Sequence, residues 1–295
     1  MQTLFQGIIA YPVTPFTADG GDVDLPRLQQ LIERLIADGV HSIAPLGSTG
    51  ESAYLQDGEW DAVAATSLAA VARRVPTVVG ISDLTTAGAM RRARFAEKQG
   101  ADAVMVLPVS YWKLSEEEIV RHVARIGDAV GIPIMLYNNP ATSGIDMSPE
   151  LIVRIWRDVP NVTMVKESTG DIQRMHRLAQ LSGGELPFYN GSNTLAFAAL
   201  AAGARGWCTA APNLHAGLPL ALYAAVQAGD LPRARELFFR QLPLLQCLMK
   251  GGLPPTVKAG LALRGFDVGT PRAPLQPLGE AATRELAAVL ASLMA

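Results

Sequence analysis

Ile134-Met135-Leu136-Tyr137 and Val162-Thr163-Met164-Val165-Lys166 end 29 residues apart, and their reading decides the fold. Each is a short apolar, β-rich run, and the segment between them carries helical patterning. The same alternation extends both ways. Upstream stand Gly7-Ile8-Ile9-Ala10-Tyr11-Pro12-Val13, His41-Ser42-Ile43-Ala44-Pro45-Leu46, Thr77-Val78-Val79-Gly80 and Ala103-Val104-Met105-Val106; downstream stand Pro187-Phe188-Tyr189-Asn190 and Gly206-Trp207-Cys208-Thr209. Strand ends near Thr14, Gly47, Gly80, Leu107, Tyr137, Lys166, Asn190 and Cys208 are spaced by 33, 33, 27, 30, 29, 24 and 18 residues. An eight-unit α/β barrel needs about 31 residues per unit, so count and spacing agree. Residues 24–38 show the intervening pattern, with Leu28, Leu31, Ile32, Leu35 and Ile36 on one helical face and Gly39 as the stop. A doubly wound nucleotide-binding sheet is the competitor, but no GxGxxG follows the first strand.

The predicted fold is therefore α/β, a TIM (β/α)8 barrel with a small C-terminal helical extension. Residues 1–228 form the barrel with the active site, and residues 229–295 form the extension. The runs Leu237-Phe238-Phe239 and 242–249 are more apolar than a lone exposed helix tolerates, which suits either a subunit contact or intramolecular packing.

Composition bounds the function. Hydrophobic residues make up 49% of the 295, and 25 Lys and Arg against 27 Asp and Glu leave a net charge of −2. Such a balance offers no electrostatic footprint for nucleic acid or an anionic membrane. Residues 206–229 are charge-free but broken by Pro212, Asn213, His215 and Pro219, so no bilayer span is expected. The opening MQTLFQGIIAYP lacks a basic stretch before an apolar core, and no secretory leader is expected. Cys208 and Cys247 have no CxxC spacing, which argues against a disulfide framework or zinc site. A soluble cytoplasmic protein is the expectation.

Barrel active sites lie at the C-terminal ends of the strands. Lys166 closes one of them. A lysine facing an apolar barrel interior is poorly solvated, and desolvation favours a neutral amine able to attack a 2-oxo group. Without that burial it is an ordinary strand-end lysine reaching water. Tyr137 ends the preceding strand, and adjacent strands lie about 4.8 Å apart, so phenol and amine can address one small volume. There the phenol can shuttle protons during imine formation; otherwise it is a rim aromatic with a hydrogen-bonded tip. Gly47-Ser48-Thr49-Gly50-Glu51 offers two hydroxyls and a run of amides suited to a small carboxylate, although an ordinary turn has the same composition. It lacks the GKS or GKT of a phosphate loop.

Gly47-Ser48-Thr49-Gly50-Glu51, Tyr137-Asn138-Asn139-Pro140 and Lys166-Glu167-Ser168, in this order and spacing, resemble the dihydrodipicolinate synthase/N-acetylneuraminate lyase family of class I aldolases. Tyr11-Pro12-Val13-Thr14-Pro15-Phe16 and Gly191-Ser192-Asn193 extend the resemblance over nearly the whole chain. The resemblance implies that Lys166 is the Schiff-base lysine and Tyr137 the proton-transfer phenol. It makes Ser48 a relay hydroxyl toward a second tyrosine, Tyr111, reaching across from a neighbouring subunit. Thr49, with Gly47 in the same loop, would bind the carboxylate of pyruvate or another 2-oxo acid, and Gly191 and Cys208 would line the pocket beside the imine. It also implies a homo-oligomer, commonly a tetramer, and no cofactor beyond the covalent imine.

One position departs from the synthase pattern. Thr142 stands where the synthases carry an arginine that holds the carboxylate of aspartate semialdehyde. A threonine offers no bidentate charged fork. The main expectation is thus a Schiff-base lyase acting on a 2-oxo acid by aldol cleavage or condensation, or by elimination as a dehydratase or deaminase. The alternative is 4-hydroxy-tetrahydrodipicolinate synthase itself. A non-catalytic 2-oxo-acid sensor is disfavoured, since binding alone needs neither amine nor phenol. A metal-dependent aldolase is disfavoured because His41, His122, His176 and His215 show no ligand spacing. Arg91-Arg92-Ala93-Arg94 is expected to be a solvated helix face, and Ser115 before Glu116-Glu117-Glu118 a helix start.

Overall fold

The computed structural model describes residues 5–17 and 21–294. Met1 to Leu4, which open the stretch inspected for a leader, lie outside the described residues. Eight strands run in chain order: β1 Gly7–Ala10, β2 Ser42–Ile43, β3 Val78–Gly80, β4 Ala103–Val106, β5 Ile134–Asn138, β6 Val162–Glu167, β7 Phe188–Asn190 and β8 Gly206–Thr209. All pairings among them are parallel, in the order β2-β1-β8-β7-β6-β5-β4-β3. A parallel bridge between Ile43 and Thr77 joins the two outer strands and brings the cylinder to near closure. This is the predicted barrel.

Several strands are shorter than their apolar runs. β1 stops at Ala10 and β2 at Ile43. Pro12 and Pro45 lack the N–H that a ladder needs, so pairing ends close by. Tyr11 nevertheless continues the line of β1 through its own N–H to the Thr209 carbonyl, at 3.0 Å.

Alternation divides the core in two. Ile9, Tyr11, Ala103, Met105, Met135, Tyr137, Met164 and Cys208 form an inner cluster within the cylinder, while their neighbours pack outward against the helices. Helix Leu25–Ala37 buries Leu28, Leu31, Ile32 and Leu35 and is capped by the Asp24 carboxylate, which accepts from Arg27 N. Ser115 and Glu118 form a reciprocal capping box at the start of Glu116–Gly127, as the sequence predicts. The arginine face differs from expectation. Arg92 is only 6% exposed, with its guanidinium on Asp83 and the Ser82 carbonyl; Arg91 bridges Asp57 and Asp61. A cation on the buried side of a helix persists because Asp83 and Asp57 balance its charge, although its Nε meets no hydrogen-bond acceptor.

After helix Gly217–Gln227 come three further helices, Leu231–Gly251, Leu253–Leu263 and Glu280–Met294. Leu237, Phe238, Leu244, Leu245 and Leu248 are buried, so most of the apolar run packs within the chain; Phe239 stays exposed. The turn between the first two of these helices lies over the barrel mouth.

Candidate active site

β5 and β6 pair so that Tyr137 stands beside Lys166 and Asn138 beside Glu167. Lys166 shares the inward face with Met164 and Tyr137 shares it with Met135, because residues two apart on a strand point the same way. The outward partners fix these strand ends from behind. Glu167, fully buried, accepts from Asn138 Nδ2 at 3.2 Å and Thr169 N at 2.7 Å, and pairs with Arg174 Nε at 3.2 Å. The buried carboxylate is therefore both charge-balanced and hydrogen-bonded.

The Lys166 side chain is 5% exposed, and its Nζ lies 3.9 Å from the ring centres of both Tyr137 and Tyr11. Two π faces opposite one nitrogen attract positive charge developed on a group bonded there, such as an iminium. Tyr11 donates its hydroxyl to Met105 Sδ at 3.2 Å. Burial pushes its phenol well above the usual range, and the neighbouring Cys208 and Tyr137 add to the effect. Burial likewise raises the Cys208 thiol, with Lys166 and Tyr11 opposing it. Both groups are held protonated near neutrality. Tyr137 Oη accepts from Asn139 Nδ2 at 2.8 Å, and the same amide donates to Thr142 Oγ1 at 2.9 Å. A phenol that accepts here keeps its own proton free for a substrate oxygen or nitrogen.

The loop after β2 holds a single 3-10 turn, Ser48–Gly50. It is entered through Leu46 at φ 61° and left through Glu51 at φ 55°, both in the left-handed region. Such non-glycine residues cost about 1–3 kcal/mol each and persist where surrounding contacts over-determine them. Thr14 Oγ1 donates to the Gly50 carbonyl at 2.6 Å. Glu51 is anchored by Lys258 and by the Arg272 backbone amide. A Cβ on Gly47 would lie 2.8 Å from the Tyr11 ring, so glycine lets the loop close onto that ring.

Lys166, Tyr137, Ser48, Thr49, Thr142, Gly191 and Cys208 all line one cavity of about 270 Å³ at the barrel mouth. Gly191 permits the approach of β7 to the lysine: a Cβ there would overlap Ser168 Oγ and lie 2.9 Å from Lys166 Cε. Tyr111 stands apart in the single chain, 95% exposed beside Trp112 at 78%. Among the lining residues to which the sequence reading gave no role are Tyr11, Asn139 and Ser168. Tyr11 carried a usable signal, since it sits two residues beyond Ile9 and so shares its inward face. Ser168 Oγ is buried with no hydrogen-bond partner. Leu248, Met249 and Leu253 complete one wall, and among the described residues Lys166 is the single charged side chain lining the cavity.

A parallel (β/α)8 barrel whose mouth closes over a lysine, a phenol and a hydroxyl loop defines this chain as a TIM-barrel lyase. It belongs to the dihydrodipicolinate synthetase family, whose model matches residues 4–293. A 4-hydroxy-tetrahydrodipicolinate synthase of Thermomicrobium roseum is 35% identical over 289 residues, covering 98% of this chain and 95% of that protein. A crystal structure of a Pseudomonas aeruginosa protein, described as a candidate dihydrodipicolinate synthetase, is 62% identical with a TM-score of 0.96, covering 98% of this chain and 99% of that one. Dihydrodipicolinate synthase of Thermotoga maritima is 29% identical with a TM-score of 0.94, covering 99% of each chain.

No helix among the described residues is long and apolar enough to cross a membrane. Three of the four histidines serve the framework. His41 Nδ1 accepts from Ile8 N at 3.0 Å, His215 Nδ1 accepts from Leu218 N at 3.3 Å, and His122 Nδ1 meets Thr86 Oγ1 at 2.9 Å.

Proposed function

We propose that the chain is a Schiff-base-forming lyase acting on pyruvate or another 2-oxo acid, with Lys166 as the nucleophile and no cofactor beyond the covalent imine. The observation that carries this reading is the placement of Lys166 Nζ between two tyrosine rings on the floor of a closed-in cavity. The amine adds to the C2 carbonyl to give a carbinolamine, and loss of water leaves a protonated imine. Tyr137 supplies and recovers the protons of those steps. Ser48 and Thr49, with the amides of residues 47–50, hold the C1 carboxylate. The iminium then accepts the electron pair released at C3, either when the C3–C4 bond breaks and the C4 hydroxyl loses its proton, or when C3 loses a proton and a group leaves C4. Gly191 and Cys208 shape the space beside the imine, and Thr142 with Asn139 faces the distal part of the substrate. The fully exposed Tyr111 supports a homo-oligomer, a tetramer on the family resemblance, in which it enters a neighbour's site. Two unpaired, buried cysteines suit a cytoplasmic setting.

The second reading is 4-hydroxy-tetrahydrodipicolinate synthase, joining pyruvate to aspartate semialdehyde. The names of the relatives favour it over the broader lyase reading. Against it stands the cavity wall: with Thr142 exposed at the mouth and, among the described residues, no lining cation besides Lys166, a second carboxylate meets no charged partner there.

Borohydride reduction with pyruvate, followed by peptide mass analysis, tests both readings. The expected result is an adduct on Lys166. Absence of any adduct across a panel of 2-oxo acids overturns the imine mechanism. Rapid turnover only when aspartate semialdehyde accompanies pyruvate selects the synthase, whereas cleavage or elimination of 4-substituted 2-oxo acids selects the broader lyase.

A further inference from the structure

Glu51 and Lys258 form an ion pair shut away from solvent. Lys258 Nζ lies 2.8 Å from Glu51 Oε1, with the two side chains 1% and 0% exposed. Glu51 ends the loop that carries Ser48 and Thr49, while Lys258 belongs to helix Leu253–Leu263. Charge at both ends is costly in such a place unless geometry fixes it, and here it does. Lys258 also donates to the Thr270 carbonyl at 3.0 Å and sits 3.9 Å from the Phe16 ring centre. Glu51 Oε2 accepts from Arg272 N at 2.8 Å, and the Arg272 guanidinium pairs with Glu59 at 2.5 Å. None of these atoms lines the cavity.

We propose that the Glu51–Lys258 pair is a positioning device for the carboxylate-binding loop, by which helix Leu253–Leu263 sets the place of Ser48 and Thr49. The inference rests on the 2-oxo-acid reading above and adds to it a residue far along the chain that acts on substrate capture. The loop has left-handed residues at both ends and cannot hold its shape on local preference alone. Withdrawing the lysine charge leaves Glu51 unpaired and frees residues 47–51 to shift, while Lys166 and Tyr137, held by β5 and β6, stay in place.

The charged groups facing Lys258 are Glu51 and Arg272, and burial with the Arg272 charge outweighs Glu51 enough to bring its ammonium down to about 8. Positioning therefore fades as the pH passes that value.

The test separates substrate capture from chemistry. Glu51→Gln and Lys258→Met should each raise KM for the 2-oxo acid about tenfold or more with kcat changed little, since the misplaced group binds rather than reacts. The double variant should be no worse than either single one, because both remove the same pair. Lys258→Arg, which keeps the charge, should restore KM. In the unaltered enzyme, L-lactate, a carboxylate with no carbonyl to form an imine, should bind more weakly by calorimetry as the pH rises from 7 to 9.5, and this weakening should vanish in Lys258→Arg. An unchanged KM in folded Glu51→Gln, or lactate binding that is flat with pH in the unaltered enzyme, overturns the proposal. So does an equal alkaline weakening in Lys258→Arg. Borohydride trapping with pyruvate keeps the two levels apart: a missing Lys166 adduct in the unaltered enzyme with lactate still bound strikes the imine mechanism, not the positioning pair.

Discussion

Tyr137 and Lys166 are register partners on adjacent parallel strands, and the amine lies 3.9 Å from the centre of the phenol ring. That spacing follows from the sheet itself, with side chains on one face of neighbouring strands about 5 Å apart. Replacing the phenol should therefore remove proton transfer without disturbing the lysine. Tyr137→Phe is expected to lower kcat by about 10²–10⁴, the usual worth of a positioned acid–base group, while Lys166 still forms its borohydride adduct given longer incubation. Full turnover in this variant removes Tyr137 from the chemistry.

Tyr11 tests whether the second ring acts as a π face or through its hydroxyl. Its phenol is held protonated by burial and meets only sulfur groups, the Met105 thioether and the Cys208 thiol, so Tyr11→Phe should stay within a few-fold of the original rate. Tyr11→Leu should lose about 2- to 30-fold, corresponding to about 0.5–2 kcal/mol for a desolvated cation–π contact. Single-turnover kinetics of adduct formation measure this directly. Equal losses in both variants would assign the effect to the hydroxyl.

Thr142 is the position at which the chain departs from the synthase pattern, and its hydroxyl accepts from Asn139 at the cavity mouth. Thr142→Arg places a guanidinium where a second carboxylate would lie. Where the natural substrate lacks that carboxylate, the variant should gain rate with aspartate semialdehyde and lose it with neutral 4-substituted 2-oxo acids. An already efficient synthase reaction before the change, with no gain after it, would contradict the broader lyase reading.

His41 and His215 each accept a backbone N–H through Nδ1, and burial holds both below the ordinary imidazole value. His122 is depressed by burial as well. With native values below about 6.5, the unfolded chain takes up protons first on acidification. Stability is therefore fully present above that pH and declines as pH falls beneath it. The melting temperature should drop between pH 7 and pH 5, and less steeply in His41→Gln. A melting temperature that rises over this range would refute the assignment.

The barrel was legible in the spacing of its apolar runs, because every βα unit must span the same distance up the sheet and back. Lys166 and Tyr137 were legible for the same reason: a strand end in this fold points toward the mouth, and the separation of 29 residues put the two on neighbouring strands. Arg92 was misread because its ionic partners come from Asp57 and Asp83, outside its own helix. Tyr11 was placed on its strand but given no role, because only closure of the cylinder brings its ring, 155 residues away, over Lys166.

The amino-acid order alone determined the alternation, the count of strands and the identity of the amine and phenol, since these depend on periodicities of two and of about 3.6 within short segments. Tertiary structure alone decided what surrounds them. The second ring over Lys166, from Tyr11, and the reach of Lys258 to Glu51 from 207 residues away both join parts of the chain whose separation carries no local pattern. Such contacts come from closing a cylinder and packing helices across its mouth, and burial of charge and aromatic surface, rather than any local preference, fixes where they meet.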